Sequence, residues 1–267
     1  MITATGISTD IPTDIPTYAA HRVISADRHG SSRPVVVKTD AGYFHTKLRG
    51  AAQGTAALVA EIIVAGLAEA LGLWVPSRVL IAIEPTIQSD IQEDEFVDLL
   101  AASHGINLGF QYLEGARDIR ADEIATIDEE FACKVLWLDA LVMNVDRTVH
   151  NPNMMRSQQQ RWVIDHGAAL PFQYNWAAVM EESPRRSAYA MHHHIFGDRA
   201  KNLERWDKHL AAMVSKPILQ SVVSQIPDCF LQPLMPRGAS AKTIERRRQA
   251  YAAFLWKRLK SPRPFID

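Results

Sequence analysis

The sequence predicts an α+β protein in which a small antiparallel sheet with one helix precedes a larger, mainly helical part. Short valine-rich or alternating segments dominate the first 113 residues, and long apolar helical patterns dominate from about residue 124. We place the boundary near residues 114–120, and a cleft between two such parts is a natural ligand site. The predicted parts are an N-terminal arm (1–18), an N-terminal lobe (19–114) and a helical C-terminal lobe (115–267).

The composition is that of a globular protein with no bias towards nucleic acid or membranes. The 29 basic and 30 acidic residues give a net charge of −1, which offers no electrostatic case for either partner. The longest apolar stretch, residues 56–75, is interrupted by Glu61 and Glu69, so we expect no membrane span. Two cysteines make no disulfide framework in a chain of 267 residues, and they favour a reducing, cytoplasmic setting.

The N-terminal lobe begins with three predicted strands, because valine-rich and alternating segments favour strands. These strands span residues 20–26, 34–39 and 43–49. The loop between the first two could lay backbone N–H groups over a phosphate chain. The residues of this loop that we single out are Gly30, Ser31 and Ser32.

One long helix and several later elements follow. We predict the helix over residues 55–71, with Thr55 capping its start and Gly72 at its end. A helix over residues 130–143 has an almost wholly apolar surface and should lie in the core. The later strands are predicted over residues 73–76 with 79–83, 108–113, 154–156 and 161–164. The remaining helices are predicted over residues 206–214, 219–224 and 243–260.

Two polar segments near the middle of the chain carry hard oxygen ligands. The 144–153 loop holds Asp146 and Asn151, and Asp165 ends the strand that follows it. A hairpin between the two segments should bring these side chains together. Two carboxylates and a carboxamide oxygen suit Mg²⁺ holding a phosphate, with one aspartate left over as a base. Asn153 is the alternative to Asn151 as a ligand.

A lysine and a carboxylate in an apolar helix form a second predicted pair. Glu61 lies among Ala, Val, Ile and Leu, where a carboxylate is costly unless it is paired. Lys47 on the third strand is its natural partner, and a lysine fixed in this way can meet phosphate oxygens. Lys38 competes with Lys47, but it lies beside a turn, where a solvated lysine is expected.

These residues, in this order, resemble those of the HipA-like kinases, bacterial relatives of the protein kinases and phosphatidylinositol kinases. The resemblance spans about residues 23–170 and, more weakly, residues 226–259. The residues and motifs that carry it are Lys47, Glu61 in EIIVAGLAEALGL, Pro76 in LWVPSRVL, NVDRTVHNPN and VIDHG.

The resemblance implies a two-lobed protein-kinase-like fold and an ATP-dependent phosphotransferase. It implies that Asp146 is the catalytic base and that Asn151 and Asp165 hold Mg²⁺. It further implies that Lys47 contacts the α- and β-phosphates of ATP and that Glu61 orients it. The segment that would meet adenine consists of Tyr112, Leu113 and Glu114.

The sequence also departs from the family pattern. The phosphate loop has a single glycine, Gly30, and its serines could be ordinary loop residues or autophosphorylation sites. Asn144 and Val145 precede Asp146 in place of the His-Arg of most protein kinases, and His166 replaces the usual Phe. Toxin members of the family carry an extra N-terminal subdomain, so we expect a compact variant, or one that uses a separate regulatory chain.

The acceptor is not identified by the sequence. A protein Ser/Thr hydroxyl is the first expectation, by analogy alone, and a small-molecule acceptor is the next. The alternative from another class is a kinase-like module that binds nucleotide or a partner without transfer.

The run of histidines at 192–194 does not have the spacing of a metal site. The basic tail from residue 237 fits the solvated face of a closing helix better than a nucleic-acid surface.

Overall fold

The computed structural model describes residues 14–26, 34–51, 53–186 and 189–266. Its strands are β1 (Thr17–Ala19), β2 (Arg22–Ala26), β3 (Val35–Thr39), β4 (Gly42–Lys47), β5 (Arg78–Ile83), β6 (Gln88–Ser89), β7 (Gly105–Gln111), β8 (Arg117–Asp118), β9 (Met154–Ser157) and β10 (Gln160–Val163). Its α-helices are α1 (Gly54–Ala70), α2 (Asp94–Ala101), α3 (Ala121–Ile124), α4 (Glu129–Val142), α5 (Ser183–Arg186), α6 (Leu203–Met213), α7 (Lys216–Ser224), α8 (Asp228–Leu231) and α9 (Ala241–Arg258). The predicted phosphate-loop residues Gly30, Ser31 and Ser32 lie outside the described residues.

The N-terminal sheet is larger than predicted and is not wholly antiparallel. Among the described residues it has seven strands, in the order β1-β5-β7-β4-β3-β2-β6. The edge strands β1 and β6 pair in parallel with their neighbours, and the other pairings are antiparallel. Strand β1 begins in the predicted N-terminal arm. Its three residues, beside a proline, are too few to show the two-residue alternation that predicts a strand. Residues 73–76, predicted as a strand, lie before β5, and the Trp74 carbonyl accepts from the Val163 N–H instead.

Helix α1 joins the sheet to the helices of the C-terminal part. It packs against α4, α7 and α8, and its side chains belong to the same hydrophobic core as theirs. A Cβ at Gly66 would lie 2.7 Å from Val222 of α7, so only glycine permits this approach. Gly72 ends the helix with a φ of +72°, as predicted, but Thr55 does not cap it, because the N-cap residue is Gln53. No helix in the described residues is both long and apolar enough to span a membrane.

Two features place the 144–153 loop beside Asp165. Helix α4 ends at Val142, and its C-cap residue Met143, with a left-handed backbone (φ +57°), turns the chain into the loop. The β9–β10 hairpin then returns the chain, and the Ile164 N–H donates to the Asn153 carbonyl at 3.0 Å. The predicted hairpin therefore forms, and it joins the two acidic segments.

Candidate active site

The centre of the site is a lysine held between two carboxylates. Lys47 ends β4, and its Nζ donates to Glu61 Oε1 on α1 and to Asp165 Oδ1, the latter at 2.6 Å. The Glu61 side chain is fully buried, and 12% of the Lys47 side chain is exposed. The competing Lys38 is exposed on β3. The structure thus brings together the predicted Lys47–Glu61 pair and adds Asp165 to it.

The two carboxylates favour the charged form of Lys47, although burial raises the pKa of Glu61 above its ordinary value. Burial alone lowers the pKa of Lys47, but the charges of Glu61 and Asp165 outweigh burial and raise it above its ordinary value. Burial raises the pKa of Asp165, but the Lys47 ammonium outweighs this effect and lowers it. The site therefore holds a fixed cation beside an ionised aspartate.

The segment that carries Asp165 is pressed against α1. The His166 N–H donates to Glu61 Oε1 at 2.9 Å, so one carboxylate oxygen binds both the lysine and this segment. Asp165 itself has a left-handed backbone, with φ +54°, which is uncommon outside glycine. A Cβ at Gly167 would lie 3.3 Å from the Cβ of Ala57, tighter than ordinary contact. A larger residue at position 167 would therefore require a small shift between this segment and α1.

The 144–153 loop arranges amides around Asp146. Asp146 Oδ2 accepts from the side-chain amides of Asn151, at 2.9 Å, and Asn153, at 3.2 Å. The Asp146 N–H donates to Asn144 Oδ1 at 3.2 Å. Both candidate ligands, Asn151 and Asn153, are thus neighbours of Asp146. Oδ1 of Asp146 has no hydrogen-bond partner among the described residues.

A buried ion pair between Arg147 and Asp139 lies beneath this loop. Arg147 and Asp139 are both fully buried, and Arg147 Nε donates to Asp139 Oδ2 at 2.5 Å. Arg147 Nη1 also donates to the backbone carbonyls of Pro152, Asn153 and Ile164. Burial raises the pKa of Asp139, but Arg147 and His194 together outweigh burial and hold the pKa below its ordinary value. Arg147 therefore ties the loop to the strand that leads to Asp165.

His166 is a neutral, buried neighbour of this ion pair. Burial and the Arg147 charge lower its pKa to about 3. Its Nδ1 lies 3.3 Å from Arg147 Nη2, which can only donate, so Nδ1 is the acceptor and Nε2 carries the proton. His166 therefore joins the polar network around Arg147.

A cavity of about 520 Å³ contains the site. We call five of its lining residues, four of them charged and one an amide, the charged set: Lys47, Glu61, Asp146, Asp165 and Asn151. We call five of its apolar lining residues the apolar set: Val75, Phe110, Leu113, Met155 and Ile164. Of the predicted adenine segment, Leu113 lines the cavity, whereas Tyr112 and Glu114 do not. Tyr112 stacks instead on His45, a lining residue that the sequence analysis missed, with ring centroids 4.9 Å apart.

The charged set fits a magnesium ion. Asp146, Asn151 and Asp165 offer hard oxygen ligands in one cavity, as Mg²⁺ prefers. The described residues contain no cluster of three or more His, Cys, Asp or Glu that could hold a metal ion. A site with few protein ligands is typical of Mg²⁺, which keeps several waters and is shared with substrate phosphates.

The 192–194 histidines do not act as one group. His192 and His193 are exposed, and their ring centroids lie 3.9 Å apart. His194 is buried and binds Asp139. The exposed pair lines a second cavity of about 550 Å³, together with residues from the 144–153 loop.

The basic tail forms α9, whose apolar face is buried in the core.

A strand lysine paired with a helix glutamate, facing an aspartate–asparagine loop and a second aspartate, is the arrangement of a kinase-type phosphotransferase. The chain belongs to the HipA-like kinase family, which its sequence matches over residues 20–242. The solved structure of the Helicobacter pylori proinflammatory kinase CtkA is similar in fold. The TM-score is 0.56 and the identity 12%, and the match covers 89% of this chain and 92% of that one. No curated protein shows significant sequence similarity to the chain.

Proposed function

We propose that this chain binds Mg·ATP in the cavity and transfers the γ-phosphoryl group to a hydroxyl acceptor. One observation carries the proposal. The Lys47 ammonium is bonded to both Glu61 and Asp165 in a cavity that Asp146 and Asn151 also line. Phosphoryl transfer depends mainly on positioning and on stabilising charge, and this set of groups does both.

Lys47 is the residue that would meet the α- and β-phosphates. Its charge is secured by two carboxylates, and Glu61 fixes its direction because Glu61 is itself held by the His166 N–H. Phosphate oxygens that enter the cavity can accept hydrogen bonds from the Lys47 ammonium. Asp165 then depends less on its bond to Lys47 and can serve as a metal ligand. Asn151 and Asp165 would hold Mg²⁺. Bound there, the ion would neutralise charge on the phosphate oxygens.

Asp146 is the residue that would accept the acceptor's proton. Its Oδ2 is occupied by two amides, and its Oδ1 has no partner among the described residues. In the transfer, a bond forms between the acceptor oxygen and the γ-phosphorus while the bond from that phosphorus to the β–γ bridging oxygen breaks. The hydroxyl proton passes to Asp146 Oδ1, and ADP leaves.

Adenine would bind among the apolar set of the cavity. Leu113 lies two residues after the end of β7, where its backbone can meet the base edge, and Phe110 and Met155 offer apolar surface to the ring. For the acceptor we propose a protein Ser or Thr hydroxyl, with a small-molecule hydroxyl as the alternative. A cytoplasmic setting, where ATP is abundant, belongs to the same proposal.

The test is a transfer assay with γ-labelled ATP and Mg²⁺, using dephosphorylated casein and water as acceptors. Asp146→Asn should reduce turnover about 10²–10⁴-fold, the usual contribution of a general base. Asp40→Asn, a change at an exposed aspartate in the β3–β4 turn, is the matched control and should leave turnover unchanged. Wild-type turnover in Asp146→Asn would overturn the proposal. ATP binding without transfer by the wild type would favour a kinase-like binding module.

A further inference from the structure

The 189–196 segment is bonded to the 144–153 loop on both sides of Asp146. The Tyr189 hydroxyl donates to the Asn144 carbonyl at 2.5 Å. The Ile195 N–H donates to the Arg147 carbonyl at 3.1 Å. Asp146 lies between these two anchored carbonyls, so its backbone is held at both flanks by a segment more than 40 residues away in sequence.

His194 fastens the same segment to the buried carboxylate beneath the loop. Its Nε2 lies 2.9 Å from Asp139 Oδ2, and both side chains are fully buried. Its Nδ1 accepts from the Phe196 N–H at 3.1 Å, so Nδ1 carries no proton and Nε2 is the donor to Asp139. The tautomer is therefore fixed by the chain itself.

Asp139 is the point at which the segment and the loop meet. Its Oδ2 accepts from both His194 and Arg147, and its Oδ1 accepts from Asn144 Nδ2 at 3.0 Å. Asn144 and Arg147 are the residues that flank Val145 and Asp146. Because all three donors bind the single carboxylate of Asp139, they keep one geometry relative to each other.

We propose that His194 and Tyr189 are positioning residues for the transfer reaction, acting through Asp139 and the 144–153 loop to fix the carboxylate of Asp146. This inference rests on the proposed function, because it concerns the placement of the proposed base. Neither residue touches ATP or the acceptor in this role. Since a displacement of about 1 Å can cost about 10²-fold in rate, the anchored loop should matter more for turnover than for nucleotide binding.

Two substitutions at His194 separate its two hydrogen bonds. In His194→Asn the amide can reproduce Nδ1 and serve Phe196, but it is too short to reach Asp139. In His194→Gln the longer amide can donate to Asp139 from the position of Nε2. His209→Asn, the same change at an exposed histidine on α6, is the control.

The experiment measures kcat and the KM for ATP by ADP release in the transfer assay, together with hydrogen–deuterium exchange of peptides that cover residues 144–153. We expect His194→Asn to lower kcat about 10–10²-fold with KM within about twofold, and to accelerate exchange in the loop. His194→Gln should restore most of both, and His209→Asn should match the wild type. Tyr189→Phe removes one hydroxyl and keeps the ring. It should change kcat and loop exchange in the same direction as His194→Asn, so it tests the inference even if His194→Asn folds poorly.

Two results would overturn the inference. One is wild-type kcat and wild-type loop exchange in both His194→Asn and Tyr189→Phe. The other is a loss in His194→Asn that His194→Gln does not reduce, which would point to packing rather than to the hydrogen bond. If the wild type transfers nothing, the proposed function fails. The exchange measurement still decides whether the 189–196 segment orders the loop.

Discussion

The charged set and the apolar set of the cavity are built in different ways. The charged set is held by direct bonds between residues far apart in sequence, such as Lys47 with Asp165, which are 118 positions apart. The apolar set consists of side chains that border the cavity from β7 and the turn after it, from β9, from the residue after β10 and from the segment before β5. Apolar side chains form no hydrogen bonds with one another. The comparison suggests that the charged set fixes geometry, while the apolar set supplies surface that tolerates substitution.

The largest effect is expected where the charged set is buried most deeply. Glu61→Ala should lower the free energy of unfolding by about 3–5 kcal/mol, because it leaves a buried lysine without one partner and the His166 N–H without its acceptor. Glu61→Gln keeps an acceptor oxygen and should lose less. Urea unfolding of both variants measures the difference. Equal stability of Glu61→Ala and the wild type would show that the pair does not organise the site.

The next effect is a pH dependence that arises from His166. The folded protein keeps this histidine neutral down to about pH 3, whereas its ordinary pKa is 6.5. Below pH 6.5 the unfolded chain therefore binds a proton that the folded protein does not, so stability falls as the pH falls. The slope from this group approaches about 1.4 kcal/mol per pH unit between these values.

His166→Asn tests this slope. Asparagine offers Arg147 an acceptor oxygen but does not titrate, so the variant should lose less stability between pH 6.5 and pH 4 than the wild type. Denaturant unfolding of the metal-free proteins at four or five pH values gives both slopes. Parallel curves for the two proteins would contradict the assignment.

A smaller effect is expected in the apolar set. Met155→Ala removes apolar surface from the cavity, and it should weaken ATP binding by about 1–2 kcal/mol, about tenfold, with little loss of stability. Met180→Ala, at a methionine that is 73% exposed and remote from the lining, is the control. Calorimetric titration of ATP measures both. An unchanged affinity in Met155→Ala would place adenine elsewhere.

The smallest effect is expected at Tyr112. Its ring stacks on His45 outside the cavity lining, so Tyr112→Ala should change ATP affinity only through His45, by about 0.5–1 kcal/mol. Tyr112→Phe keeps the stack and should behave as the wild type. A loss larger than that of Met155→Ala would mean that Tyr112 itself meets the nucleotide.

The charged set could be predicted because a buried ionised group is costly unless a group of opposite charge pairs with it. Glu61 in an apolar helix required a cation, and Lys47 supplied it. The same rule applies to Asp139 in the apolar helix α4, which the sequence analysis passed over. Had the rule been used there, Arg147, eight positions along the chain, would have been one candidate partner. The contribution of His194 could not have been found in this way, because nothing in the sequence links position 194 to position 139.

The apolar set and the sheet edges were harder to predict. An apolar residue that lines a cavity has the same sequence pattern as one in the core, so Phe110 and Met155 carried no signal. Strand β1 has three residues and pairs in parallel with β5, and such a pairing depends on the tertiary fold rather than on local period. The longer elements, α1, α4 and α9, were predicted to within two residues at each end because their apolar patterns are long.

The most direct test of the account is calorimetric binding of ATP with and without Mg²⁺, to the wild type and to Asp165→Asn. The account predicts that Mg²⁺ strengthens ATP binding to the wild type and that this gain is lost in Asp165→Asn, while the fold is kept. Magnesium-dependent binding of equal strength in the two proteins would contradict the placement of the metal and the phosphates beside Lys47 and Asp165.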